Sequence, residues 1–306
     1  DISGERIYPA RGMFYDKNNN LLTKNTEVYD LYVNPEDFLN MSSDKKNEYP
    51  SLIGVDIDKV IKEDNAGNEV IGKELVKISG NLDFNSASAL YKKLNEAEDA
   101  FQFKMNYQRE YLLPEEFFHI IGYTGLTSQD DLNNGYLPDE KVGKYKLELQ
   151  LEDQLKGITG SKDTVGGSEI IEPSVPGKNI FLTIDKNWQN KLYKILGEES
   201  DSLGVAGAAG VVVEASTGRI MAMVSYPGID SNIFSSGVDG EFFNTLLQDR
   251  RNPFLDKAIS VQASPGSSFK LITAYTLLEN NYIDENTRFF SNRCIDLGGG
   301  GQFCEY

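Results

Sequence analysis

The chain has 306 residues, a net charge of −17 and a pI near 4.6; 40% of its residues are hydrophobic and 25% charged. This is the balance of a globular protein long enough for one large domain or two ordinary ones, and its acidity argues against nucleic acid, whose phosphates would be repelled. No stretch approaches the ~20 apolar residues that cross a bilayer, and two cysteines, Cys294 and Cys304, are too few for a disulfide scaffold.

In chain order, "ERIYPARGMFYDKNNNLLTKN" reads as two short strands about an Asn-rich turn. "PEDFLNM" reads as a helix opening at Pro35, and "SASALYKKLNEAEDAF" as a second with Leu90, Leu94 and Phe101 on one face. "FQFKMNYQREYLL" alternates as a strand does, and "FHIIGYTG" is expected to be another. "LELQLEDQLKGITG" reads as a short helix closed by Gly157. The Gly-, Pro- and Ser-rich "TVGGSEIIEPSVPGKN" separates two differently patterned halves, which places a domain boundary near residue 175. Beyond it, "NIFLTIDKNWQNKLYKIL" is a strand running into a helix capped by Asp185. "AGAAGVVVEASTGRIMAMVSYP" is a hairpin that turns at Gly218.

"SPGSSFK" sets Ser267 and Lys270 three residues apart at the mouth of the apolar run "SSFKLITAYTLLEN". Pro265 and Gly266 allow a sharp turn, and the run predicts a buried helix with Ser267 in its first turn. Helical spacing carries Lys270 back towards the Ser267 hydroxyl, and the helix N-terminus favours a developing alkoxide. A capping serine fits these local features equally well. The same Ser-x-x-Lys spacing at Ser42 and Ser43 lies among polar residues and carries no such context. His119, the single histidine, sits in an apolar segment and reads as structural; neither a GxSxG elbow nor a Walker loop is present. Cys294 and Cys304, with Asp296 nearby, leave a disulfide, a share in a zinc site and two free thiols all open.

The order of these segments resembles a class B penicillin-binding protein, a peptidoglycan D,D-transpeptidase whose catalytic domain stands on a non-catalytic pedestal. "PARGMFYDKNNNLLTKN" is similar to the pedestal's opening motif, with Arg11, Gly12, Asp16 and Asn25 in register. "GKYKLELQLEDQLKG" matches at Gly143, Glu148, Leu155 and Gly157, with Lys146 where the family usually has glycine. "GKNIFLTID", "GAAGVVVEASTGRIMAMVSYP", "FLDKAI" and "SPGSSFK" are similar to successive parts of the transpeptidase domain, and "CIDLGGGGQFCEY" to the elongation-type, penicillin-binding protein 2-like branch.

The resemblance implies an α+β pedestal over residues 1–175, then the N-terminal part of an α/β serine transpeptidase domain, β-lactamase-like in fold, over 176–306. It implies Ser267 as the acylated nucleophile and Lys270 as its base, with peptidoglycan stem peptides as substrates, β-lactams as inhibitors and no cofactor. It also implies a membrane glycosyltransferase partner of the elongation machinery, and a place outside the bacterial plasma membrane on an N-terminal anchor. The family's Ser-x-Asn and Lys-Thr/Ser-Gly motifs do not occur after Lys270, so the expectation is a truncated, inactive fragment with substrate-binding residues unassigned. Alternatives are a non-catalytic scaffold that binds the glycosyltransferase, and a serine β-lactamase or lactam sensor. Arg11 and Glu148, each the charge of a motif that also holds glycines, are expected to meet in the pedestal.

Overall fold

The computed structural model describes residues 5–61, 75–94, 100–136, 140–165, 168–235, 237–288, 293–296, 298–299 and 301–304. Asp1–Ser260 forms one compact unit and Val261–Tyr306 a second.

In the first unit the long strand Thr23–Val33 lies between Val76–Leu82 and Phe101–Tyr111, antiparallel to both. Thr23 is opposite Tyr111 and Val33 opposite Phe101. Period-two alternation gives Leu31, Val33 and Phe101 to the side where Phe38, Tyr49 and Ile57 pack from three helices, Pro35–Leu39, Ser43–Ile53 and Ile57–Val60. Asn34 starts the first of these by accepting from Glu36 N and Asp37 N, with Pro35 pre-set behind it.

A second core joins Phe14, Leu22, Tyr111, Phe117, Ile121 and Leu155 to Ile184, so the halves either side of residue 175 share one packed interior. Strand Ile180–Phe181 pairs in parallel with Phe14–Tyr15. Helix Lys186–Leu203, capped by Asp185 as expected, lies against the hairpin Ala208–Val213 and Ile220–Tyr226. Fully buried Gln189 fixes that contact by donating to Met223 O at 2.8 Å and accepting from Met223 N at 2.9 Å. Gly218 turns the hairpin at φ +74°.

Three local expectations are corrected. "FHIIGYTG" is no strand until Thr124: residues 114–121 wind through turns, with Ile121 N donating to Phe117 O, and Phe117 to Ile121 are all buried. A continuous apolar run is compatible with either geometry. The helix beginning at Phe84 runs to Leu94, while Phe101 belongs to the next strand. The Gly- and Pro-rich stretch holds strands rather than a bare linker: Gly160–Val165 and Ser168–Glu172 pair with each other, and the first also pairs with Glu5–Ile7. Its Gly166 and Gly167 lie outside the described residues.

In the second unit, a single turn Gly266–Phe269 leads into the helix Lys270–Glu279, and Cys294–Asp296 pairs with Gln302–Cys304. The helix forms where expected, but it is not buried: Leu271, Ile272 and Tyr275 are each more than half exposed. An apolar run signals that a helix needs cover without saying what supplies it.

Candidate functional site

The pedestal motifs converge on a buried ion cluster. Arg11 Nε donates to Glu148 Oε2 at 2.7 Å, and its Nη2 to Glu152 Oε2 at 2.6 Å and Glu148 O at 3.1 Å. Glu148 is fully buried, and its other oxygen accepts from Arg109 Nε at 2.9 Å and the Tyr111 hydroxyl at 3.2 Å. Asn25 donates to Arg11 O and accepts from Arg109 Nη1. Two cations thus face two carboxylates. Burial alone would raise Glu148, but Arg109 and Arg11 outweigh it and hold the carboxyl below its ordinary range. The same balance leaves Arg11 firmly protonated: burial opposes its charge and the two glutamates restore it.

The glycines of these motifs are demanded by close backbone approach. A Cβ on Gly12 would lie 2.0 Å from Lys178 O, and one on Gly143 2.0 Å from Glu148 O. Asp16 works differently. Its carboxylate accepts from Asn18 N, Asn20 N and Lys186 N, so it ties the Asn-rich turn to the start of helix Lys186–Leu203. Burial raises its pKa, but these hydrogen bonds outweigh it and the net shift is downward.

Arg109, Tyr111 and Glu152 are not singled out by the sequence. Strand phase was the available signal for Arg109: alternation puts it on the inward set with Phe101 and Tyr111, and an inward charge needs a partner.

The segment before Ser267 docks on the same region. Lys146 has φ +52°, the left-handed conformation natural to the glycine it replaces, and its Nζ pairs with Asp256 Oδ2 at 2.7 Å. Asp256 Oδ1 accepts from the Ser225 hydroxyl, which itself accepts from Ala258 N. The Tyr145 hydroxyl donates to Phe254 O, and His119 Nε2 donates to Pro253 O at 2.8 Å. His119 is therefore structural. Burial holds its ring neutral, with a pKa pushed down to about 4.

Ser267 and Lys270 lie together in the second unit. Gly266 turns the chain at φ +55°, and Lys270 N–H donates to Ser267 O and Ser268 O across the tight turn. No side chain caps the helix that follows, so its N-terminal positive end stays next to Ser267. The expected hydrogen bond between the Lys270 ammonium and the Ser267 hydroxyl is not present among the described residues, and both side chains are exposed. Spacing alone brings the two groups to one turn. Exposed side chains have no packing to fix a rotamer, so spacing does not impose the contact.

Cys294 and Cys304, directly opposite in their ladder, form a disulfide. This settles which of the three open alternatives the structure realises. Among the described residues no cluster of three or more His, Cys, Asp or Glu side chains is placed to hold a metal.

Comparison with known proteins accords with this architecture. Residues 6–182 match the penicillin-binding protein dimerisation domain, and 208–299 the penicillin-binding protein transpeptidase domain. The peptidoglycan D,D-transpeptidase MrdA of Haemophilus influenzae is 28% identical over 304 residues, covering 92% of this chain and 44% of its own. A complex of penicillin-binding protein 2 with MreC from Helicobacter pylori superposes with a TM-score of 0.79 at 23% identity, covering 99% of this chain and 57% of that one. A peptidoglycan synthase complex that coordinates polymerization and crosslinking superposes at 0.67 with 24% identity, covering 99% and 52%. The chain spans about half the length of the curated relatives it matches. With the dimerisation domain matched over more than half of this chain and the transpeptidase domain following in order, the chain belongs to the class B penicillin-binding proteins.

Proposed function

We propose that this protein acts as a peptidoglycan cross-linking D,D-transpeptidase, with residues 1–175 as pedestal and 176–306 as the nucleophile-bearing part of the catalytic domain. The observation that carries the reading is Ser267, set on a sharp Gly266 turn at an uncapped helix N-terminus, inside the matched transpeptidase segment.

In this mechanism the Ser267 hydroxyl attacks the carbonyl carbon of the penultimate D-Ala of a stem peptide while Lys270 takes the proton. The C–N bond breaks, and the terminal D-Ala leaves as an amine carrying that proton. An amine of a neighbouring stem then attacks the ester carbon. Its proton passes through Lys270 to the departing Ser267 oxygen, which frees the serine and completes the cross-link. A β-lactam enters the first step, and its acyl group stays on Ser267.

The MreC complex and the synthase complex among the structural neighbours support a pedestal that meets other proteins of wall synthesis. We place a membrane glycosyltransferase of the elongation machinery among those partners. The Cys294–Cys304 disulfide supports a location on the oxidising, outer side of the plasma membrane. Among the described residues no helix is long and apolar enough to cross a membrane. The pedestal match weighs against a free-standing β-lactamase or lactam sensor.

The test is covalent labelling by a fluorescent penicillin of the gene product at its natural length. Labelling of the wild type and none of Ser267→Ala is the expected pattern. Undiminished labelling of Ser267→Ala overturns the assignment of the nucleophile.

A further inference from the structure

Beside the Arg11–Glu148 cluster the pedestal has an open cavity of about 430 Å³. Among the described residues five buried side-chain atoms lack a hydrogen-bond partner, and three of them, Arg109 Nη2, Lys141 Nζ and Glu152 Oε1, belong to residues that line this one cavity. Such a concentration is not expected of a packing defect, since buried polar groups are almost always paired.

Two of the orphans are the unused ends of groups that are otherwise fixed. Arg109 is 3% exposed, and its Nε and Nη1 are spent on Glu148 and Asn25. Glu152 gives Oε2 to Arg11 and to Gly143 N, which leaves Oε1 without a donor. Lys141, on the short strand Lys141–Gly143, has no hydrogen-bonded counter-ion at all. The Arg11, Arg109, Glu148 and Glu152 charges cancel among themselves, and Lys141 feels the Lys77–Asp30 pair only through space, with no hydrogen bond to it. Burial draws its pKa below the ordinary lysine value.

The three atoms ask for a specific chemistry. Two are donors that suit an anion, and the third is an acceptor that would repel a bare one. A bare carboxylate such as acetate satisfies the first two and clashes with the third. We propose that this cavity binds a small carboxylate with an N–H donor on the adjacent carbon, as in the C-terminal unit of a peptide or a free amino acid. The carboxylate accepts from Arg109 Nη2 and Lys141 Nζ, and the N–H donates to Glu152 Oε1. The volume is that of a small-ligand pocket, and Tyr107 and Tyr136 supply aromatic walls. The inference does not rest on the acyl-transfer reading.

The test is calorimetric titration of the chain with acetate, glycine, glycylglycine and N-acetylglycylglycine, repeated on Lys141→Met and Lys141→Arg. The Lys141 side chain makes no hydrogen bond that holds the fold, so both variants should stay folded by circular dichroism. Saturable binding of glycine or of a peptide, at least about tenfold tighter than acetate, is expected. Lys141→Met should weaken it by about tenfold or more, and Lys141→Arg should largely restore it. Glycine binding without N-acetylglycylglycine identifies the free amino acid, and the reverse identifies a peptide terminus. No saturable binding of any probe, binding no tighter than acetate, or an unchanged affinity in Lys141→Met overturns the proposal and leaves the orphaned atoms to solvent.

Discussion

Lys146 Nζ lies 2.7 Å from Asp256 Oδ2, and the pair ties the turn before Glu148 to the segment that leads to Ser267. Asp256 is 3% exposed, so loss of the cation leaves a buried carboxylate with the Ser225 hydroxyl as its remaining hydrogen-bond partner. Breaking a buried pair from one side costs about 3–5 kcal/mol. Because a fifth of the Lys146 side chain still meets water, Lys146→Met should fall at the low end, about 3 kcal/mol. Lys146→Gly should recover roughly 1 kcal/mol of that by relieving the left-handed backbone. Adding Asp256→Asn should recover more. Denaturant unfolding of the three variants tests this, and a Lys146→Met protein as stable as the wild type refutes the coupling.

The Glu148 carboxylate should behave as the electrostatic centre of the pedestal. Glu148→Gln leaves Arg11 and Arg109 with excess positive charge in a closed interior and is expected to cost about 3–5 kcal/mol. Its pKa in the fold is depressed, so its stabilisation is complete above the unfolded-state value near ~4.3. That stabilisation is lost as pH falls through the lower folded value. The fall of stability with pH below about pH 4, followed by circular dichroism in denaturant, should therefore flatten in Glu148→Gln. An unchanged slope would mean that other carboxylates dominate.

Much of this cluster is legible because each of its motifs holds both a charge and a glycine. Arg11 with Gly12, and Gly143 with Glu148, signal buried charge and close backbone contact before any coordinates exist. Lys146 shows how local sequence misleads: a lysine in place of glycine argues against a tight turn, yet a distant aspartate holds the turn closed. Arg109 and Glu152 were missed because their partners lie far off in sequence, and only the strand phase hinted at one of them. The hairpin at 160–172 was hidden by composition, which counts turn residues without seeing that Glu5–Ile7 offers a strand to pair with.

His119 supplies a second pH signal at a different place. Its folded pKa, about 4, lies below the unfolded value near ~6.5. The unfolded chain therefore binds a proton first, and stability falls as pH drops from about 6.5 to about 4, by something on the order of 2–3 kcal/mol. As the single histidine, its ring resonance should titrate near 4 without ambiguity of assignment. His119→Phe should remove the slope in that window. A ring that titrates near 6.5 would show the segment is open to water.

The disulfide should stabilise its own hairpin. The cysteines are ten residues apart, and closing a loop of that size removes unfolded-state entropy worth about 3 kcal/mol. Intact-mass measurement should show two reactive thiols only after reduction. Protease cleavage within 294–304 should then accelerate, while the first compact unit keeps its unfolding midpoint. A matching loss of stability in the first unit would contradict this local role.

Lys270 is the residue on which the proposed chemistry turns, and the structure makes its contribution separable from that of Ser267. The Lys270 N–H helps close the turn through Ser267 O and Ser268 O, and a backbone bond survives any side-chain change. Lys270→Ala should therefore keep the fold and remove only the ammonium group. If that group is the base for Ser267, penicillin acylation of the natural-length protein should slow by about 10²–10⁴-fold. Lys270→Arg preserves charge without an accessible free base, so it separates proton transfer from simple electrostatic attraction. Stopped-flow acylation at several pH values compares the three proteins. A Lys270→Arg rate close to wild type would show that positive charge suffices, and would take the general-base role away from Lys270.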